Sequence, residues 1–228
     1  MYFDNLENMD DDFWLRPERV LTVPEHEEFL SHHTKPVSLE LGEKIAGKLL
    51  ITLNHLNQKK RVAVGLAANQ IGINASVFVV HAKNPLYFIN PDVIELSKET
   101  SQFNEGCLSI PKKRVPITRH LRIKVSADNL QEPEWFGVEW NGGQVDEIEL
   151  LESFTIQHEF NHLHGILITD LDERPAPYVA EKKIGRNEHI TVYKKIKRLG
   201  MSEEEEVLET IKFKHLDKYL KDGWKFYK

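Results

Sequence analysis

The segment QHEFNHLHG, residues 157–165, constrains this chain more than any other, because it places His158 and His162 four positions apart with Glu159 between them. On an α-helix residues i and i+4 share a face, so both imidazoles reach one metal ion. Glu159 stands about 100° around the axis and stays off the metal. A carboxylate so placed accepts a proton from a metal-bound water. Glu152, Phe154, Ile156, Phe160 and Leu163 carry the pattern without Gly or Pro, and Gly165 supplies a stop signal, so a helix is expected here. Such a pattern also arises by chance in helices whose histidines are only solvated. Two histidines are in any case one protein ligand short of a catalytic centre, so a third must come from elsewhere in the chain.

The chain has 228 residues, which fits one domain with tails. With 40% hydrophobic and 29% charged residues it reads as a soluble globular protein. A net charge of -6 offers no global field for nucleic acid, and no direct nucleic-acid motif is present. No apolar run is long enough to span a bilayer. The start, MYFDNLENMDDDFW, is acidic where a secretory signal is basic and then apolar, so no membrane association and a cytoplasmic location are expected. A single cysteine, Cys107, excludes an internal disulfide and leaves a buried thiol, a reactive thiol or a metal ligand.

Along the chain, residues 1–19 form an acidic arm that Phe13 and Trp14 would dock, and residues 20–23 read as a short strand. His32 and His33 are adjacent and do not face one another on a helix or strand, so they belong to a solvated loop. From Ser38 to Leu56, apolar residues recur at three- and four-residue steps and predict a helix. The segment VAVGLAANQIG, residues 62–72, is small and apolar apart from Gln70. SVFVVH at 76–81 and residues 87–90 read as buried strands, and alternation predicts strands between 115 and 127, interrupted at Pro116. WFGVEW at 135–140, the turn at 141–143 and residues 145–151 read as a β-hairpin. Ser202 with four following glutamates predicts a helix start, with Leu208, Ile211, His215 and Tyr219 on one face.

Three sources of the third ligand compete. A histidine six residues after the second would suit one peptidase pattern, but Ile168 stands there and cannot bind metal. A glutamate about 20 residues on suits another, and Glu181 lies near that distance in a charged run. Cys107 is the third: a thiolate with two imidazoles leaves a fourth position open. At this point three separated segments, VAVGLAANQIG, EGCLS and QHEFNHLHG, together resemble the three motifs of the peptide deformylases, GxGLAAxQ, EGCLS and HExDH. The resemblance covers roughly residues 15–175. Ala63 stands for the first glycine of the first motif, Asn69 for the usual proline, and Asn161 for the usual aspartate of the third.

The resemblance implies an α+β fold, with antiparallel strands packed around a central helix that carries HExxH. It implies a catalytic domain at 1–178; the rest, 179–228, matches no motif of the family and is expected from its own residues to be a helical C-terminal extension. Cys107, His158 and His162 would bind one divalent ion, commonly Fe²⁺, with Zn²⁺ or Ni²⁺ in its place. Glu159 would serve as base, with Gln70 and the Leu108 N–H as oxyanion donors. Gly65 would hold the substrate backbone, and Val64, Phe103, Leu151 and Phe154 would line a methionine pocket. Glu105 would steady the cysteine loop or the substrate, and Asn161 would alter a contact to Arg119. The activity implied is hydrolysis of the formyl group from N-formylmethionyl peptides, with release of formate. Apart from the resemblance, the C-terminal extension is a candidate ribosome contact. Two alternatives are a metallopeptidase that uses Glu181 and a catalytically silent relative that binds peptide or ribosome.

Overall fold

The computed structural model describes residues 2–3, 6–59, 63–140 and 145–171, together with the backbone of 189–196, 205–212 and 225–226. It has two compact units, Met1–Ala176 and Pro177–Lys228. In the first, three antiparallel sheets accompany two long helices, the α+β class expected.

Two short helices, α1 (Asp11–Leu15) and α2 (Glu27–Leu30), precede α3 (Leu39–Gln58). Ser38 caps α3 by accepting from the Leu41 N–H, and its apolar stripe buries Ile45, Leu49, Leu53 and Leu56. That stripe packs on a sheet of β1 (Gly65–Ala67), β2 (Val77–His81) and β3 (Pro85–Ile89), in that order. Every residue of β1 is buried, and so are the first four of β2, which is why both segments read as continuous apolar runs. A second sheet has the order β4 (Asp92–Leu96), β7 (Arg122–Ser126), β8 (Glu134–Gly137). The third pairs β5 (Thr100–Cys107) with β6 (Ile110–His120). β6 runs through Pro116 without a break, because a two-stranded sheet has a free edge where the missing N–H is harmless.

The central helix α4 spans Glu147–Leu163 and packs against β1, β2, β6, β7 and β8. It starts earlier than the sequence predicts, taking in residues expected to be a hairpin strand. The Asp146 side chain accepts from the N–H groups of Ile148 and Glu149, and Glu147 and Glu149 occupy the positive end of the helix dipole. These local gains outweigh the strand-like apolar alternation at 148–151. Residues 20–23 form no strand, although the Leu21 N–H donates to Gln70 O at 2.7 Å and the Val23 N–H to Ser109 O at 2.9 Å.

The second unit is an antiparallel sheet of order β10 (Glu205–Lys212), β9 (His189–Ile196), β11 (Lys225–Phe226). The helical extension expected from Ser202 onward is therefore corrected over 205–212. Val207, Thr210 and Ile211 are β-branched, and two of them meet equally β-prone partners in register, Thr210 opposite Thr191 and Ile211 opposite Ile190. Ser202, His215, Tyr219, Glu181 and the turn at 141–143 lie outside the described residues. No helix among the described residues is long and apolar enough to cross a membrane.

Candidate active site

α4 presents His158 and His162 on one face, and the end of β5 brings Cys107 to them. One donor atom from each of the three lies within 4.8 Å of the others, and Cys107 Sγ is 3.2 Å from His162 Nε2. A soft thiolate with two imidazoles, all close enough to converge on one point, fits a single divalent transition-metal ion with a fourth position open. The electrostatics agree. Burial raises the Cys107 thiol, yet His162 and His158 outweigh it and hold the thiol well below its usual range. Burial lowers His158, but Cys107 and Glu105 push it up to about 10. The sulfur is therefore held as thiolate, the form in which a cysteine binds metal.

Glu105, also on β5, orients the first histidine. Its Oε2 accepts from His158 Nδ1 at 2.8 Å, which leaves Nε2 for a metal. Both carboxylate oxygens are also engaged by the fully buried Arg119 of β6, at 2.7 and 2.8 Å. Burial raises this carboxyl, but Arg119 and His158 prevail and hold it at about 2. Both oxygens of Glu105 are thus taken up by the arginine and the histidine. Arg119 also donates to Asn161 Oδ1 and to Gln157 O, so one guanidinium ties β5 to α4. The Gln157 side chain pins the helix to β6, donating to His120 O at 2.7 Å and accepting from its N–H at 3.1 Å.

Glu159 is 3% exposed, and its Oε2 is buried with no hydrogen-bond partner. An orphaned carboxylate oxygen in a site of this kind marks the place of a missing polar group. Burial pushes its pKa up to about 7, against the pull of His158 and His162. Such a carboxyl changes protonation near neutral pH, as a general acid–base group must. Gln70 accepts from the Ala67 N–H at 2.9 Å, which turns its Nε2 toward Ser109 Oγ at 3.2 Å and Cys107 Sγ at 3.7 Å. Gly65 is required by contact: a Cβ there would sit 2.4 Å from Glu159 Oε1 and 2.6 Å from Thr155 Cγ2.

A cavity of about 480 Å³ is lined by Val64, Gly65, Gln70, Cys107, Leu108 and Glu159, with Phe103, Glu105, Leu151 and Phe154 among its other walls. Every residue expected at the site thus lines it, apart from His162, which is buried beneath at 1% exposure. Phe103 and Phe154 meet with ring centroids 6.3 Å apart. Sequence reading gave no role to Ser109, Thr155 or the cavity residues Lys112, Lys113 and Arg114. The last three follow EGCLSIP directly as a KKR run, and that charge run was the available signal.

Fold and site together define a mononuclear metal-dependent hydrolase with one Cys and two His ligands available on an HExxH helix. The model of the polypeptide deformylase family matches residues 17–175, and the chain belongs to that family. A peptide deformylase from Thermotoga maritima is 37% identical over 145 residues, spanning 62% of this chain and 79% of the relative. A crystal structure of peptide deformylase from T. maritima superposes with a TM-score of 0.56 at 33% identity, covering 71% of this chain and 99% of that one. A Met-Ala-Ser-bound crystal structure of a class I type b peptide deformylase from Acinetobacter baumannii gives a TM-score of 0.53 at 26% identity, covering 68% and 98%.

Proposed function

We propose that residues 1–178 form a peptide deformylase domain that removes formyl groups from N-formylmethionyl chains, with Cys107, His158 and His162 holding one divalent ion. Iron(II) is the metal proposed, with zinc or nickel able to take its place. When bound, the ion supplies Lewis acidity at a neutral-pH site and an open position for water. The observation that carries the reading is the buried, unpartnered Oε2 of Glu159 in the cavity that Cys107 and His158 also line.

Glu159 accepts the proton released when water adds to the formyl carbon, and returns it to the leaving amine. A carboxyl poised at about 7 is suited to both halves of that exchange. Gln70 Nε2 and the Leu108 N–H donate to the carbonyl oxygen as it becomes negative, and losing one such donor typically costs about 3 kcal/mol of transition-state stabilisation. Gly65 lets the substrate backbone approach β1, and Val64, Phe103, Leu151 and Phe154 receive the methionine side chain. Glu105 keeps His158 in the tautomer that offers Nε2. The Met-Ala-Ser complex of the A. baumannii relative supports a peptide with an N-terminal methionine as product. Action on nascent chains implies a cytoplasmic site of work, with residues 179–228 as an appended ribosome contact.

The test is formate release from a formyl-Met peptide by protein loaded anaerobically with Fe²⁺, beside Glu159→Ala. The wild type turns over, and the variant binds one metal equivalent but loses at least about 100-fold in kcat. No release by wild type carrying one equivalent of metal would refute the assignment.

A further inference from the structure

The two strands that bring Cys107 to the helix do not pair evenly. Gly106 lies opposite Arg114, but the next residue of β5, Cys107, lies opposite Ile110. One step on β5 thus answers four on β6, and Pro111, Lys112 and Lys113 bulge out of the ladder without partners. A bulge of this sort bends its strand and re-aims side chains beside functional sites. Lys112 adopts φ 68°, a left-handed conformation that costs a non-glycine residue energy and persists where surrounding structure enforces it.

The bulge faces the catalytic cavity. Lys112, Lys113 and Arg114 are all exposed, and all three line the space that Gln70, Cys107 and Glu159 also line. Arg114 donates to Asn104 O at 3.1 Å and is anchored. Lys112 and Lys113 have no ion-pair partner among the described residues. The cavity's two carboxylates cannot neutralise them, since Glu105 is bound by Arg119 and His158 and Glu159 is buried. A protein of net charge -6 therefore carries a locally cationic lip on this cavity.

We propose that Lys112 and Lys113 form an acid-reading subsite, so that the enzyme works best on formylmethionyl peptides with aspartate or glutamate in the residues just after methionine. The inference rests on the deformylase reading of the site. With the formyl group at Glu159, an extended chain advances about 3.3 Å per residue. The second and third residues then pass through the cavity the lysines line. Their long, flexible stems meet carboxylates in solvent-accessible pairs, each worth a factor of a few in affinity at low salt, and repel cationic side chains by a similar factor.

The test compares kcat/KM of the full-length, metal-loaded enzyme on formyl-Met-Ala-Ser, formyl-Met-Asp-Glu and formyl-Met-Lys-Lys, at low and high salt. The acidic peptide should exceed the basic one by about tenfold at low salt, and the ratio should shrink to about twofold at high salt. The double variant Lys112→Glu, Lys113→Glu should invert the order. Lys44→Glu with Lys98→Glu makes the same change of net charge outside the cavity and should leave the order as in wild type. Equal rates within twofold at low salt, or an acidic preference that survives the Lys112, Lys113 reversal, overturns the proposal. If formate is released from none of the three, the deformylase reading fails instead. Calorimetric binding of unformylated Met-Asp-Glu and Met-Lys-Lys then decides the subsite, and equal affinities reject it.

Discussion

Position 161 meets Arg119 through a neutral amide, where the motif this helix resembles carries an aspartate. A carboxylate there would turn the contact into an ion pair and draw the guanidinium toward α4, one residue from His162. Asn161→Asp is expected to tighten metal binding by about tenfold, the lower end of what partners of metal-binding histidines contribute, read by competition with a chromophoric chelator. Unchanged affinity would show that Arg119 is held well enough by its other contacts. Glu159 makes the second prediction at this scale. Burial raises its pKa from the ordinary value of 4.5 to about 7, so the folded state prefers the protonated carboxyl. The stability this provides is complete below about pH 4.5 and is lost as pH rises through 7. In chelator-treated protein, Glu159→Gln should therefore be more stable than wild type at pH 8, by up to about 3 kcal/mol, and indistinguishable near pH 4. Urea titrations at the two pH values measure it.

Among the elements, α3 has a second task besides filling the core. Lys48 sits at 0% exposure within its apolar stripe, donates to Arg16 O and to Glu18 Oε1 at 3.1 Å each, and also to Phe13 O. Its ammonium lies 3.8 Å from the Phe13 ring centroid. Burial lowers its pKa, and Glu18 opposes the shift without reversing it. One cation thus adds to the docking of the acidic arm that was expected of Phe13 and Trp14, which do pack into the core. Lys48→Met keeps the apolar stem and strands two carbonyls and a carboxylate, so it should destabilise the protein by about 2–4 kcal/mol. Tryptic cleavage after Arg19 should become faster than global unfolding permits, and cleavage at the wild-type rate would disprove the docking role. Element by element, α3 was legible because its apolar period is unbroken. α4 was legible only from Glu152 onward, where the histidines lie, because residues 145–151, Asp146 among them, read as a hairpin strand. β10 was misread because four glutamates after a serine are also a good helix start, and no local feature shows that β9 will pair with it.

At the scale of the whole chain, the family match ends at residue 175 and the contact division falls at Ala176. Everything placed at the catalytic cavity comes from the first unit. A chain ending at Ala176 should therefore fold and deformylate a short formyl peptide with kcat/KM within about twofold of full length, since every described residue that lines the cavity is retained. Co-sedimentation with ribosomes at low salt should weaken in the same truncation. Loss of turnover on truncation would place part of the active site beyond residue 176, and unchanged co-sedimentation would remove the proposed role of the tail.

Sequence alone determined the parts whose chemistry is local or whose spacing is diagnostic. The i, i+4 histidines with Glu159 between them specify a metal-site helix, and with the cysteine in EGCLS and the Gln70 segment they carry the resemblance that implies a deformylase site and an α+β frame. Only tertiary structure decided which groups share space. It engaged Glu105 with Arg119 and His158, put Lys48 under the arm and turned the Lys112–Lys113 bulge into the cavity. The physical reason is that periodicity and capping act within a few residues of chain. Burial of a charge, strand register and the lining of a cavity depend on segments tens of residues apart that no local preference can pair.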